Sequence, residues 1–289
     1  MAADLTAVIL THDEEENLPA CLASLEGWVS AILVIDSGST DQTTAIAQRA
    51  GARVVRHPFQ SYPAQWDWVL RELPLRTGWI LAFDADFRAP PCLRARIEET
   101  LPTTPTQVAG YYLDRRLIFR GRWLRWGGCT QPMVKLFRTG RASCDSRETP
   151  DIRFYVAGEA RNLGTYFWEE NQKERNLAFW IAKQGRYVPV AAETERRWRT
   201  HYRGWAIPTA FWGTPDQRKL WKKTLWYRMP RYLRPCFYFA YRYLALGGFL
   251  DGWQGLLYHS VQGFWLRWQV DRALGRLRGI GASCTVFGR

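Results

Sequence analysis

Trp79-Ile80-Leu81-Ala82-Phe83-Asp84-Ala85-Asp86 is an apolar run of strand length that ends abruptly in two carboxylates two positions apart. A buried strand that delivers acidic side chains at its exit is the signature of an α/β sheet whose binding residues collect at the strands' carboxyl ends. The chain before it has matching texture. Ala7–Leu10 and the β-branched run Ala31–Ile35 read as strands, and Arg53–Arg56 as a third. Helices are expected over 17–25, 42–50 and 62–72, with Gly51 as a stop. Strands alternating with helices at this spacing predict βαβ units and a mostly parallel sheet. Thr11–Glu16, Asp36–Asp41 and Asp84–Asp86 all fall at strand exits, so three acidic clusters are expected to meet in one crevice.

Each cluster has a chemical reading and a plainer one. Asp84 and Asp86 can offer hard oxygen ligands to Mg²⁺ or Mn²⁺ bridging the phosphates of a nucleotide; alone, the pattern also fits solvated turn carboxylates. In Val34-Ile35-Asp36-Ser37-Gly38-Ser39-Thr40-Asp41, Thr40 or Asp41 can cap the following helix, whereas Asp36 has no capping role and suits a base N–H or a ribose hydroxyl. Asp13-Glu14-Glu15-Glu16 can load the first turn of the next helix and complement its dipole.

Together these segments form a recognisable set. Thr11-His12-Asp13-Glu14-Glu15-Glu16-Asn17-Leu18, then Cys21–Leu25, then Val34–Asp41, then Phe83-Asp84-Ala85-Asp86, resembles the family 2 inverting glycosyltransferases of GT-A fold, a Rossmann-like α/β architecture. The likeness is nearest to the bacterial branch that includes lipopolysaccharide-core β-1,4-glucosyltransferases, and Leu246–Gly255 is also similar to a segment of that branch. The resemblance implies a nucleotide-sugar donor, a UDP-sugar favoured. Thr11, Glu14, Asp36, Ser37, Asp67 and Asp84 would contact it, and Asp84 and Asp86 would serve the metal and donor phosphates. The catalytic base of such enzymes lies downstream of a Leu-Phe-Arg strand. Here Leu136-Phe137-Arg138 is followed by Arg147-Glu148, which makes Glu148 the expected base and Glu159 its substitute. The chain departs from the family pattern where Asp13 and Asp67 replace Asn and Phe87 replaces an acidic residue, which implies an altered donor pocket, and Arg147 stands beside the expected base where the family has a His.

The remainder is organised differently. Tyr111–Phe119 and Val134–Phe137 read as strands, and 171–184 as a helix stopped by Gly185. Residues 1–195 carry 23 Lys and Arg against 24 acids, whereas 196–289 carry 17 against 3, together with eight of the 16 Trp. Two parts are therefore expected: a catalytic domain over 1–200 and a basic, Trp-rich helical region over 201–289. Gln217–Tyr232 reads as an amphipathic surface helix. The apolar stretch 235–266 is broken by Arg242 and Asp251 into runs shorter than the roughly 20 residues a spanning helix needs. Membrane-associated helices in the interface, on anionic lipid, are the preferred reading, and helices packed into the core the alternative.

A lipid-linked or lipid A-core type acceptor would then be met at the bilayer, with Trp123, Arg125 and Trp126 along its approach. Six cysteines without C-x-x-C spacing argue against a zinc ribbon or disulfide scaffold and read as reduced cytoplasmic thiols, and no secretory segment opens the sequence; with the bacterial branch that the resemblance implies and the basic region, the expected location is the cytoplasmic face of a bacterial inner membrane. A nucleic-acid binder would explain the basic tail but not the near-neutral first half, so no nucleic-acid partner is expected. A nucleotidyltransferase would want a Gly-rich basic loop where Thr11–Glu16 is acidic. The substitutions at 13, 67 and 87 leave room for a degenerate, non-catalytic membrane-bound member.

Overall fold

A computed structural model describes residues 3–145, 152–200 and 205–283. The described residues pack into two compact units, one built from 1–123 and 130–175, the other from 124–129 and 176–289.

The first unit opens as the strand–helix alternation predicts: β1 (Ala3–Thr11), α1 (Leu18–Leu25), β2 (Val29–Asp36), α2 (Thr43–Arg49), β3 (Arg53–Arg56), α3 (Tyr62–Glu72) and β4 (Trp79–Asp84). β3, β2, β1 and β4 lie side by side in that order, all parallel. Then come β5 (Phe87–Arg88), α4 (Pro91–Thr100), β6 (Val108–Phe119), β7 (Arg122–Trp123), β8 (Gln131–Arg138), β9 (Ala142–Cys144), β10 (Phe154–Val156) and β11 (Glu159–Glu169). β8 joins antiparallel to β4, β6 antiparallel to β8, and β11 parallel to β6, so the sheet is parallel in its first half and mixed in its second. Strands β4, β6 and β11 consequently all point their carboxyl ends the same way.

Alternation along the strands divides the core between the two faces of the sheet. Ala7, Ile9, Leu81 and Phe83 pack with α1, α2 and α4 residues on one face. Val8, Leu10, Ile80 and Ala82 pack on the other with Trp66 and Val69 of α3 and with Ile152 and Phe154 beside the β9–β10 hairpin. The register sets the site: Thr11 is level with Asp36 across β1 and β2, and Leu10 with Asp84 across β1 and β4.

The second unit is helical: α5 (Leu177–Thr200), α6 (Pro215–Arg228), α7 (Leu233–Ala240), α8 (Gly252–Tyr258) and α9 (Leu266–Ser283), with wider π turns at Tyr241–Ala245 and His259–Trp265. The helix expected to stop at Gly185 instead begins at Leu177 and runs through Gly185 and Pro189 to Thr200. A helical Gly costs only about 1 kcal/mol relative to Ala. Burial of Ala192 against Leu266, Val270 and Leu274 of α9 holds the helix together past both breakers. α6 is shorter than expected; it starts from a capping box between Thr214 and Gln217 and ends before Met229-Pro230. No described helix is long and apolar enough to cross a membrane. The three acids after Arg196 are all buried: Asp216, Asp251 and Asp271. Asp251 accepts the backbone N–H groups of Arg125 and Trp126 at 3.1 and 2.9 Å, pinning the 124–129 segment within this unit.

Candidate active site

The loops after β1 and β2 are zipped together by their own side chains. Asp13 accepts from Thr40 N at 2.7 Å while its own N–H donates to Ser39 Oγ at 2.9 Å. Glu14 N donates to Thr43 Oγ1, Glu15 N to Asp41 Oδ2, and Gln42 N to Glu15 Oε2. The acidic run therefore does not load the first turn of α1, which contains no acidic residue; it braces the second loop. Asp13 has φ +52°, a left-handed conformation that Asn and Asp tolerate best, so this departure from Asn keeps the backbone geometry. The Thr40 N–H bond holds its carboxyl below the usual carboxylate range.

Asp36 is fully buried and does have a local job. Its Oδ2 accepts from Gly38 N and Ser39 N at 3.1 and 3.0 Å, and Thr11 Oγ1 donates to Oδ1 at 3.3 Å. Gly38, at φ +91°, makes the turn possible. Ser37 N donates to Thr11 O, and Ser37 Oγ accepts from Gln65 Nε2 of α3, which also contacts His57.

Opposite these loops stand Asp84 and Asp86. Lys135, on β8 and 1% exposed, places Nζ 3.6 Å from Asp84 Oδ2. Asp86 Oδ2 accepts from Asn171 Nδ2 at 3.1 Å, and Asp86 O accepts the Glu170 N–H, tying β5 to the exit of β11. The turn that follows lies across the first acidic loop. Gln172 N donates to Asn17 Oδ1 at 2.7 Å, and Lys173 Nζ reaches both Asp13 O and Glu14 Oε1 at 2.9 Å. Glu14 also accepts from Asn17 Nδ2 at 2.6 Å. Burial raises the Glu14 pKa, with nearby Asp86 adding to it, against the opposing pull of Asn17 and Lys173. Behind them, burial pushes the Cys21 thiol far up, and Asp86 and Asp84 push it further, so Cys21 is an inert core thiol.

Thus Thr11, Glu14, Asp36, Ser37, Asp84 and Asp86 are gathered at the strands' carboxyl ends. Asp67 stands apart, 44% exposed on α3 and spent on Arg71 at 2.9 Å; Gln65, two residues earlier, is the α3 side chain that meets Ser37. Glu159 opens β11, whereas the end of that strand, at Glu169, is level with Phe87. Ten residues of strand, roughly 33 Å at about 3.3 Å each, separate the two ends, and Glu159 is ion-paired with Arg161. That placement sets it apart from the acidic cluster. Glu148 lies outside the described residues, in the connection between β9 and β10. Lys135, Asn171 and Lys173 are members of the cluster that sequence reasoning missed.

The donor set fits a hard divalent ion. Mg²⁺ usually takes one or two carboxylates and completes its shell with substrate phosphate and water. Asp84 and Asp86 would supply the carboxylates. Asn171 Oδ1 is a further oxygen, buried beside Asp86 and with no hydrogen-bond partner among the described residues. No three His, Cys, Asp or Glu side chains converge to hold a metal among the described residues.

The model of one known family, described as Glycosyl transferase family 2, matches residues 6–160, the stretch that contains the exits of β1, β2 and β4. The chain belongs to glycosyl transferase family 2. Within it, the chain is 33% identical over 117 residues to the lipopolysaccharide core biosynthesis glycosyltransferase LpsC of Rhizobium meliloti, covering 39% of this chain and 42% of that protein. It is 35% identical over 82 residues to an uncharacterized glycosyltransferase of Rickettsia felis, covering 28% of each. The chain spans between 21% and 42% of the lengths of such curated relatives. Among solved structures it is similar to glucosyl-3-phosphoglycerate synthase from Mycobacterium tuberculosis in complex with Mn²⁺, UDP and glucosyl-3-phosphoglycerate. That likeness has 21% identity and a TM-score of 0.31, and covers 40% of this chain and 44% of that one.

Proposed function

We propose that this family 2 glycosyltransferase moves a sugar, with inversion, from a nucleotide-sugar donor to a membrane-associated glycan or lipid-linked acceptor. A UDP-sugar is the favoured donor, and the setting is synthesis of a bacterial cell-surface polysaccharide such as lipopolysaccharide, on the cytoplasmic face of the inner membrane. The observation that carries the reading is the meeting of Glu14, Asp36, Asp84, Asp86, Asn171 and Lys173 at the carboxyl ends of β1, β2, β4 and β11. The acceptor class is supported by the name of the Rhizobium relative.

In this reading the two zipped loops seat the nucleoside, with Ser37 and the Asp36 turn presenting polar groups to it. An Mg²⁺ or Mn²⁺ held by Asp84 and Asp86, with Asn171 Oδ1 alongside, would neutralise the departing diphosphate. Lys135 holds Asp84 in place, and Lys173 holds Glu14 while closing the β11 turn over the first loop. Glu148 takes the proton of the acceptor hydroxyl, which attacks the anomeric carbon from the face opposite the leaving group, so the configuration inverts. Glu148→Gln keeps the shape but cannot accept the proton; transfer should fall by about 10²-fold or more with donor binding retained. Glu159→Gln, at the far end of β11, should be near wild type. Initial rates and UDP titrations of the two variants check both statements, and a nearly active Glu148→Gln would remove the assignment.

The second unit is suited to the bilayer surface. Every acid after Arg196 is buried, so the charge this stretch shows to solvent is basic. Leu233, Phe237, Tyr241 and Leu244 recur at helical spacing and are all exposed, with Trp253 and Leu256 exposed on α8. Contiguous exposed apolar surface of this kind marks an interaction face. Each basic residue near an anionic surface contributes about 1 kcal/mol, screened by salt, while the apolar side chains add a salt-resistant part. The full chain should float with anionic liposomes at low salt and partly persist at high salt. A Phe237→Asp/Leu244→Asp double variant should lose the salt-resistant part. Substitution is the cleaner probe, because truncation at Thr200 would strip α9 from α5. If the wild-type chain stays unbound at low salt, a soluble acceptor replaces the lipid-linked one.

A further inference from the structure

Next to the donor cluster, β6 and β11 carry a cation held in aromatic rings. The guanidinium of Arg116 lies 3.4 Å from the ring centre of Tyr166, 4.4 Å from that of Trp123 and 5.7 Å from that of Trp168. The rings brace one another edge to face, Trp123 against Trp168 at 5.3 Å and Tyr166 against Trp168 at 5.0 Å. Neighbouring arginines are neutralised: Arg88 by Glu170, Arg115 by Glu169, Arg175 by Glu170. Arg116 has neither a hydrogen bond nor an ion pair among the described residues. Asp114, two residues back on the same strand, makes no ion pair with it at contact distance; burial raises the Asp114 pKa against the longer-range pull of Arg116.

The register fixes where this cation sits. Arg116 is level with Trp168, and Trp168 with Arg88, two residues beyond Asp86. Two strand spacings, about 10 Å, therefore separate Arg116 from the strand that leaves the donor cluster. Alternation from Tyr112, which belongs to the core on the α3 face, puts Asp114 and Arg116 on that face; alternation from Ile80 and Ala82 does the same for Asp84.

Resting on the glycosyltransferase reading above, we infer that Arg116, with Tyr166, Trp123 and Trp168, forms an acceptor subsite for a sugar bearing an anionic group, a phosphate or a carboxylate. A guanidinium stacked on rings loses little freedom on binding and presents a planar fork of N–H donors that matches either anion bidentately. The surrounding ring edges supply an apolar wall for the sugar. The strand spacing keeps this anion apart from the donor diphosphate, so the two would be bound together rather than in competition.

The experiment is ligand-observed NMR titration of the full chain, saturated with UDP and Mg²⁺, with glucose 6-phosphate, glucuronate and glucose. At least one of the two anionic sugars should bind and glucose should not; the tighter of the two names the anion. Arg116→Gln should weaken that binding tenfold or more. Arg116→Lys, which keeps the charge and loses the fork, should fall between. Arg53→Gln, the same charge change on edge strand β3, should leave it intact, and UDP affinity should be unchanged in all three variants. Binding to Arg116→Gln equal to wild type, or no anionic sugar bound by wild type, would overturn the subsite and leave Arg116 a packing residue. Loss of UDP binding by wild type would count against the glycosyltransferase reading instead, and the Arg116 comparison would still be read by the same titration without UDP.

Discussion

An Asp271→Ala variant should lose about 3–5 kcal/mol of stability, seen as an early transition of the helical unit in thermal or urea unfolding. Asp271 is fully buried on α9 and faces Arg234 of α7, itself 0% exposed. Arg234 Nε donates to Asp271 Oδ1 at 2.9 Å, its Nη1 and Nη2 donate to the two oxygens of Glu195 on α5 at 2.9 Å each, and Nη1 also meets Trp226 O on α6. Arg199 joins the same Glu195 at 2.7 Å, which balances two cations against two anions. One knot thus binds four helices that share few breaker-free stretches. Taking away one carboxylate leaves a guanidinium in the interior with half its partners gone, and the Tyr232 N–H, which donates to Asp271 Oδ2 at 2.9 Å, also loses its acceptor. Coulombic loss and two orphaned donors act together, which is why the expected effect exceeds that of an exposed pair such as Arg94–Glu98. An unfolding transition unchanged within about 1 kcal/mol would show that the knot is offset by its own desolvation.

The first half of the fold was legible because local signals agree there. Val, Ile and Leu runs end in Asp36 and Asp84, and Gly51 closes α2 where a stop is expected. Such consistency is what lets pattern alone define βαβ units. The acidic cluster was only half legible. Glu14, Asp36, Asp84 and Asp86 announce themselves as acids at strand exits, but their cations and amides come from chain far away in sequence. Lys135 is a lone charge inside the apolar strand Met133–Phe137, and a buried Lys demands a carboxylate partner, which was a usable signal. Asn171 and Lys173 gave no such signal, because their segment reads as the start of a helix. Only the parallel pairing of β11 with β6 brings that segment back to Asp86 and Glu14. Asp36 misled in the opposite direction: a capping argument based on helices overlooked the tight turn that its carboxylate organises. Gly185 and Pro189 failed as stops for the reason propensities often fail, since packing on α9 outweighs one weak and one missing hydrogen bond.

Asp86→Ala should reduce sugar transfer by about 10³-fold or more, because a metal's charge at a departing diphosphate is worth several kcal/mol. EDTA should reproduce the loss in the wild-type protein, with recovery on adding Mn²⁺ or Mg²⁺. The fold should survive the substitution, since β5 is tied to β11 through the backbone oxygen of Asp86 and not its side chain. What disappears is the carboxylate beside the buried Asn171 Oδ1, which has no hydrogen-bond partner among the described residues. Asp84 would then be the remaining carboxylate of the pair, and it is already engaged by Lys135. Metal affinity in the presence of UDP, followed by Mn²⁺ electron paramagnetic resonance, should therefore fall alongside turnover, which separates loss of the ion from loss of folding. Asp67→Ala is the matching control. Its carboxylate is exposed on α3 and paired with Arg71, so turnover and Mn²⁺ affinity should stay close to wild type. Full activity of the wild-type protein in EDTA would dismiss the metal, and the charge on the leaving diphosphate would then have to be met by Lys135 and Lys173, the two cations already in place around the acidic loops.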